Sequence, residues 1–306
     1  MVKFTTHKGS LLLVLLLLVT VVPAFAQDDV GVIAYTTTVN GTSQMMLLDG
    51  NGNSVSISDG QGNDYYPTLS PDGTQVAFVS DRSGNWEIYI ANSDGSNVTA
   101  LTNNDFSDVS PSWSPDGTQI AFASDRDGDL DIYITDLRGN VQQIPQGGSQ
   151  QQQVADDSNE WAPSWSPDGN LIAFTTDRDV DAEIYVVSLS SGDVHNLTNY
   201  QRGEDAYPAW SPDGDFIAFS STRTRGSVLQ IYIIPVNGGD AVQITSGSDD
   251  SWYPTWSPDG SLLAFMTGDN DDTALAVISA GGGEAQFLTS ADGSGFPSWW
   301  SSSRQQ

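Results

Sequence analysis

The chain has 306 residues, 39 acidic against ten basic, a formal charge of −29 and no cysteine. That balance repels nucleic acid and anionic lipid surfaces, and disulfides can contribute nothing to stability. A chain of this length buries a sizeable core without such staples.

The first element is "MVKFTTHKGSLLLVLLLLVTVVPAFAQDD". Lys3 and Lys8 form a basic n-region, Leu11 to Val22 an apolar run, and Ala24-Phe25-Ala26 a small-residue cleavage motif. This order predicts a secretory signal peptide over residues 1–26, cut before Gln27. The apolar run is short of the roughly 20 residues a spanning helix needs. An uncleaved N-terminal anchor is the alternative. No later segment is apolar enough to span, so the expected product is exported, periplasmic or extracellular, without membrane insertion after cleavage. Both lysines lie in the leader, so arginines alone (Arg82, Arg126, Arg138, Arg178, Arg202, Arg223, Arg225 and Arg304) face the acids.

The remainder copies itself. "SPDG" occurs at Ser70–Gly73, Ser114–Gly117, Ser166–Gly169, Ser211–Gly214 and Ser257–Gly260, at intervals of 44, 52, 45 and 46 residues. Pro presets φ at the second position and Gly suits the exit, so each copy reads as a tight hairpin turn. Apolar triplets follow: Val76-Ala77-Phe78, Ile120-Ala121-Phe122, Ile172-Ala173-Phe174, Ile217-Ala218-Phe219 and Leu263-Ala264-Phe265. Such runs suit strands covered on both faces. A third strand carries Ile88-Tyr89, Ile132-Tyr133, Ile184-Tyr185 and Ile231-Tyr232, and a weaker fourth is read at Leu101-Thr102, Leu197-Thr198, Ile244-Thr245 and Leu288-Thr289. A period in the mid-forties of this kind predicts one four-stranded propeller blade per repeat.

The ends complete the count. "GVIAYTTT" (31–38) matches a second strand with no first strand before it, and "FPSWW" (296–300) matches a first strand with nothing after it. The expectation is an all-β fold, a six-bladed β-propeller over 27–306, closed by pairing the C-terminal strand with the N-terminal blade. The blades fall at about 65–108, 109–160, 161–205, 206–251 and 252–295, with a composite blade from 296–306 and 28–64. Closure removes exposed sheet edges.

Repeats of the form P-x-W-S-P-D-G-x-x-I-A-F-x-S-D-R resemble those of the TolB-like propeller family, and the resemblance covers essentially the whole chain after the leader. It implies a six-bladed propeller and, for the family's envelope proteins, protein binding. The same repeat also occurs in propellers attached to serine peptidases. The N-terminal α/β domain of TolB is not expected here, because the propeller pattern starts within a few residues of the cleavage motif.

"SDRDGDLDIY" (124–133) raises a metal question. Asp125, Asp127 and Asp129 fit positions 1, 3 and 5 of an EF-hand-type loop, but Leu130 stands where Gly belongs and Asp136 at the twelfth place. A non-EF calcium site from Asp125, Asp127, Asp129 and Asp131 is retained as an alternative. "SDRSGNWEIY" and "TDRDVDAEIY" repeat the frame, so Asp81, Asp125 and Asp177 share one position, as do Arg82, Arg126, Arg178 and Arg223. Repetition round a ring favours hairpin architecture over a ligand loop.

A second series comprises Asp64, Asp108, Glu160 and Asp205, each three residues before the Pro read as starting an inner strand, with Asp249 and Asp250 shifted in the fifth repeat. In a propeller these positions and the arginines lie on one face, so together they are expected to ring the channel mouth. They would either bridge the loops or bind a cation or a partner's basic tail. Trp113, Trp165, Trp210, Trp256 and Trp299 are expected to pack between blades, whereas Trp161 and Trp252 are candidates for exposure near the mouth. The Gln-rich stretch 145–160 reads as an inserted surface loop.

Catalytic signatures are sparse. His195 is the only histidine after the leader, no G-x-S-x-G elbow occurs, and zinc or lysine chemistry lacks its residues. The expected function is a non-catalytic, monomeric propeller binding a protein or peptide on one face. The alternatives are a carbohydrate-active or peptide-cleaving enzyme with an acidic site at the mouth, and a calcium-stabilised structural propeller.

Overall fold

A computed structural model describes residues 31–145, 158–200, 202–223, 228–269, 272–290 and 293–301. Residues 1–30, which include the expected leader, most of the Gln-rich stretch, Arg225 and Arg304 lie outside these residues. The described chain is all strand and turn, arranged as six four-stranded antiparallel sheets. Blade 1 runs Asp64–Leu69, Gln75–Ser80, Glu87–Asn92 and Thr99–Ala100 from the channel outward. Blades 2 to 5 repeat it from inner strands Asp108–Trp113, Glu160–Trp165, Asp205–Trp210 and Asp250–Trp256.

Blade 6 is the composite. The C-terminal strand Gly295–Trp300 lies innermost and pairs with Val32–Val39, followed by Thr42–Asp49 and Ser54–Ser56. Val32 faces Trp300, Ile33 faces Trp299 and Ala34 faces Ser298. The ring therefore closes by a strand from each end of the chain.

In blades 1 to 4 the inner strand begins at the acidic position, three residues earlier than the Pro that the sequence suggested as its start, whereas blade 5 begins at Asp250, four residues before Pro254, and blade 6 at Gly295, two before Pro297. Proline is tolerated within these strands because the inner edge faces the channel and needs no ladder donor. The residue before it (Tyr66, Ser110, Ala162, Tyr207, Tyr253 or Phe296) has φ of 50° to 60°, and in blades 1 to 5 the pairing register shifts across this pair. The bulge bends the strand and turns these side chains into the channel. The fourth strand also differs from expectation: it stops before Leu-Thr. The Thr hydroxyl instead accepts the third-strand N–H, as Thr102 does from Ile88 at 2.9 Å and Thr198 from Ile184 at 3.0 Å.

The core lies between blades. Phe78, Phe122, Phe174, Phe219 and Phe265 are at most 1% exposed, and one cluster joins Ala121, Ile132 and Ile134 of blade 2 to Trp165, Ile172 and Phe174 of blade 3. The indole N–H groups of Trp113, Trp210 and Trp256 donate to inner-strand carbonyls of the preceding blade, at Thr68, Ser164 and Ala209. The SPDG turns also interlock. A Cβ on Gly117, Gly169, Gly214 or Gly260 would touch the turn proline of the blade before it. Blade 1 follows the composite blade, which has no such turn. There Trp300 covers Gly73 instead, a Cβ on which would fall 2.3 Å from the indole, and its N–H reaches the Pro71 carbonyl at 2.9 Å.

Candidate functional site

The loop face is built from one row of side chains repeated in four blades. Directly opposite residues in a sheet share a face, and the rows are Asp64, Ser80, Glu87; Asp108, Ser124, Asp131; Glu160, Thr176, Glu183; and Asp205, Ser221, Gln230. An arginine two residues after the central hydroxyl folds back over each row. Its Nε donates to the hydroxyl oxygen at 2.9 to 3.3 Å. A terminal nitrogen reaches the inner carboxylate: Arg82 to Asp64 at 3.0 Å, Arg126 to Asp108 at 3.0 Å, Arg178 to Glu160 at 2.9 Å, and Arg223 to Asp205. The guanidinium carbon lies over the Tyr of the third strand at 4.4 to 5.0 Å.

These carboxylates are at most 2% exposed. Ion pairing and stacking thus take up these four carboxylates and their arginines beneath the mouth, while Asp249 in the fifth repeat is exposed. In blades 5 and 6 both charges are replaced. Ser251 and Ser294, each three residues before the strand proline, hold the acid's place and are buried, while Asp269 and Val39 stand at the arginine positions. Asp250 sits one residue outside the row and accepts the Leu229 N–H at 2.7 Å.

A second acidic series lies on the third strands: Glu87, Asp131 and Glu183, at most 6% exposed, with Gln230 as the neutral fourth member. Its signal was the residue before each Ile-Tyr pair, which reads as the end of an acidic turn. Each acid faces the inner carboxylate of the next blade. Asn104 bridges Glu87 and Asp108, taking 2.8 Å to Asp108. Asp131 lies against Glu160, and burial followed by that neighbouring carboxyl pushes it up to about 7. Burial likewise pushes Glu183 up to about 7, opposed by the Thr198 hydroxyl and assisted by the charge of Asp205. Burial also raises Asp205 against the pull of Arg223.

The four aspartates considered for calcium do not converge. Asp125 turns to the preceding loop and accepts the Ser107 N–H at 2.7 Å, as Asp81 does from Asn63 and Asp177 from Asn159. Thr222 does the same for Glu204 through its hydroxyl. Asp131 belongs to the Glu160 dyad, while Gly128 closes the hairpin on the Asp125 carbonyl. Among the described residues no group of three or more His, Cys, Asp or Glu side chains could hold a metal ion.

Trp161 and Trp252 are half-buried near the loop-face ends of their inner strands. Trp161 packs on the core between blades 2 and 3, and the Trp252 indole N–H points at the Met266 sulfur. The channel below them is asymmetric. Tyr66, Tyr207, Tyr253 and Phe296 cluster with ring centroids 4.1 to 6.1 Å apart, and burial keeps the Tyr66 and Tyr253 phenols neutral. Blades 2 and 3 place only Ser110 and Ala162 at that level. A cavity of about 190 Å³ lies at this level of the channel. At the SPDG end the channel widens into a cavity of about 710 Å³.

Comparison with known proteins agrees with this architecture. TolB from Acinetobacter baumannii is 24% identical, with 89% of this chain and 67% of that one aligned at a TM-score of 0.75. A putative TolB from Agrobacterium tumefaciens is 22% identical over 85% and 88% of the two chains, TM-score 0.68. An oligogalacturonate lyase from Vibrio parahaemolyticus shares the fold at 15% identity over 87% and 78%, TM-score 0.59. Residues 17–160 and 140–304 match the TolB beta propeller domain, and the chain belongs to that family.

Proposed function

We propose that this chain is an exported, non-catalytic propeller, acting as a single copy, whose loop face holds a protein or peptide segment at the channel mouth. One observation carries the reading. The loops around the mouth are anchored by four buried Arg–carboxylate pairs and by carboxylate or hydroxyl caps on the incoming loops. A surface fixed in this way loses little conformational freedom when a partner docks. Trp161 and Trp252 supply amphipathic rims, and the Ser110–Ala162 side of the channel leaves room for an inserted side chain. The TolB neighbours support a scaffold role, and the basic-apolar-small leader supports export.

The enzyme reading has one observation in its favour, since carboxyls that titrate near 7 suit general acids. Asp131 and Glu183 do so, but both are buried, each facing a second carboxyl, out of a substrate's reach. Turnover of a glycan or peptide that is abolished by Asp131→Asn or Glu183→Gln would overturn the scaffold reading.

The absence of native cysteine allows a direct test of the binding face. Photo-crosslinkers attached at Phe106→Cys or Tyr200→Cys, on loop-face connections, should capture one protein from the native envelope. The same group at Val242→Cys, on an outer edge, should not. Binding of that purified protein should then weaken in Trp161→Ala and Trp252→Ala. Equal capture from all three positions would refute the assignment.

A further inference from the structure

The opposite face of the ring carries a surface that the loop-face reading leaves unused. Five SPDG turns surround the 710 Å³ cavity there, whose wall includes Trp165, Trp299, Trp300, Pro71, Asp72 and Asp116. Each turn exposes an aspartate: Asp72, Asp116, Asp168, Asp213 and Asp259. The turn serine donates its hydroxyl to that carboxylate at 2.6 Å in all five. The backbone N–H two residues on donates to the same oxygen at 3.0 to 3.1 Å.

The serine bond, more than any other contact, holds Asp72, Asp116, Asp168 and Asp213 below the usual carboxylate range. For Asp259 burial is the largest influence and raises it, yet the same hydrogen bonds leave it lowered. All five are therefore firmly ionised. The ion pairs among the described residues all lie on the loop face, so no described arginine neutralises this ring of charge. Arg138, in the Asp136–Asn140 turn, is the one described arginine in the turns of this face.

The lining also points to an occupant. Tryptophan and proline form the funnel wall, a surface on which the methylene stems of lysine or arginine and the rings of proline can rest.

From charge complementarity and this lining, we propose that the SPDG face docks a lysine- or arginine-rich segment of a partner protein. Its cations sit on the five aspartates and its backbone crosses the Trp–Pro funnel. The surface is separate from the loop face, so either site can fail without the other.

The test uses the full chain and short fluorescein-labelled peptides of alternating lysine and proline, with glutamate–proline and serine–proline counterparts, followed by anisotropy. The lysine peptide alone should bind, more weakly as salt rises. The double variant D72N/D116N keeps the acceptors that hold the turns, and an unchanged melting temperature will confirm it. It should weaken binding about tenfold, as loss of two exposed interfacial charges implies. D269N/D272N removes the same charge from the loop face and should leave affinity within about twofold. No binding of the lysine peptide, equal binding of the serine peptide, or equal loss in D269N/D272N would each overturn the proposal. The last result would mark only the general field of an acidic chain.

Discussion

Replacing Arg126 with methionine isolates the charge in one blade row, because Met keeps most of the stem that packs on Tyr133. The substitution removes the bonds to Ser124 and Asp108, both 3.0 Å. Asp108 is fully buried and is left with Asn104 as a donor at 2.8 Å and Glu87 as an acidic neighbour. Breaking a buried pair from one side costs about 3–5 kcal/mol, and the surviving Asn104 bond places this case near the lower end. The double variant R126M/D108S copies the Ser of blades 5 and 6. It should lose no more than about 1 kcal/mol, giving a coupling of at least about 2 kcal/mol between the two sites. Urea titration followed by tryptophan fluorescence, on both singles and the double, measures the cycle. A loss below about 1 kcal/mol for R126M, or a double no more stable than R126M, would refute the view that pairing makes these buried acids tolerable.

Trp300→Ala removes both the cover on Gly73 and the bond to Pro71, and should cost about 3 kcal/mol in thermal melting, with Trp300→Phe losing only about 1 kcal/mol for the hydrogen bond. Stability should also depend on pH in two opposed ways. Asp131 and Glu183 have folded values near 7, above their ordinary 3.8 and 4.5, so the native state binds protons more tightly. Their contribution is complete below those ordinary values and is lost as pH rises through 7. Asp72, Asp116, Asp168 and Asp213 are lowered, so their contribution is present above 3.8 and lost on acidification. A urea midpoint measured against pH should therefore fall from about pH 5 to pH 8, and D131N/E183Q should flatten that fall. Calcium or chelator should leave the melting temperature of the wild-type chain unchanged, since Asp125, Asp127, Asp129 and Asp131 do not converge.

Much of the ring was legible because each signal recurs. SPDG, the apolar triplet and Ile-Tyr fix a four-strand unit, and the mismatched ends "GVIAYTTT" and "FPSWW" imply closure. Burial was less legible. Asp64, Asp108, Glu160 and Asp205 occupy polar stretches that read as loop, yet each begins a strand and is covered by its own arginine. Glu87, Asp131 and Glu183 were hidden by the same effect, being acids at the end of acidic turns. The sequence places partners at matching positions around the ring but carries no measure of depth, which the folded-back arginine determines. The function of Trp300 required the fold for another reason. It fills the place of a turn proline that blade 6 lacks, a relation between residues 229 positions apart.

The most direct test of the central claim is the loop-face binding measurement. The protein captured at Phe106→Cys or Tyr200→Cys is purified, and its affinity for the wild-type chain is compared by titration calorimetry with that for Trp161→Ala/Trp252→Ala. A saturable one-to-one complex, weakened tenfold or more in the double variant without loss of melting temperature, is the predicted result. Unchanged affinity in the folded double variant, or no saturable complex, would contradict it.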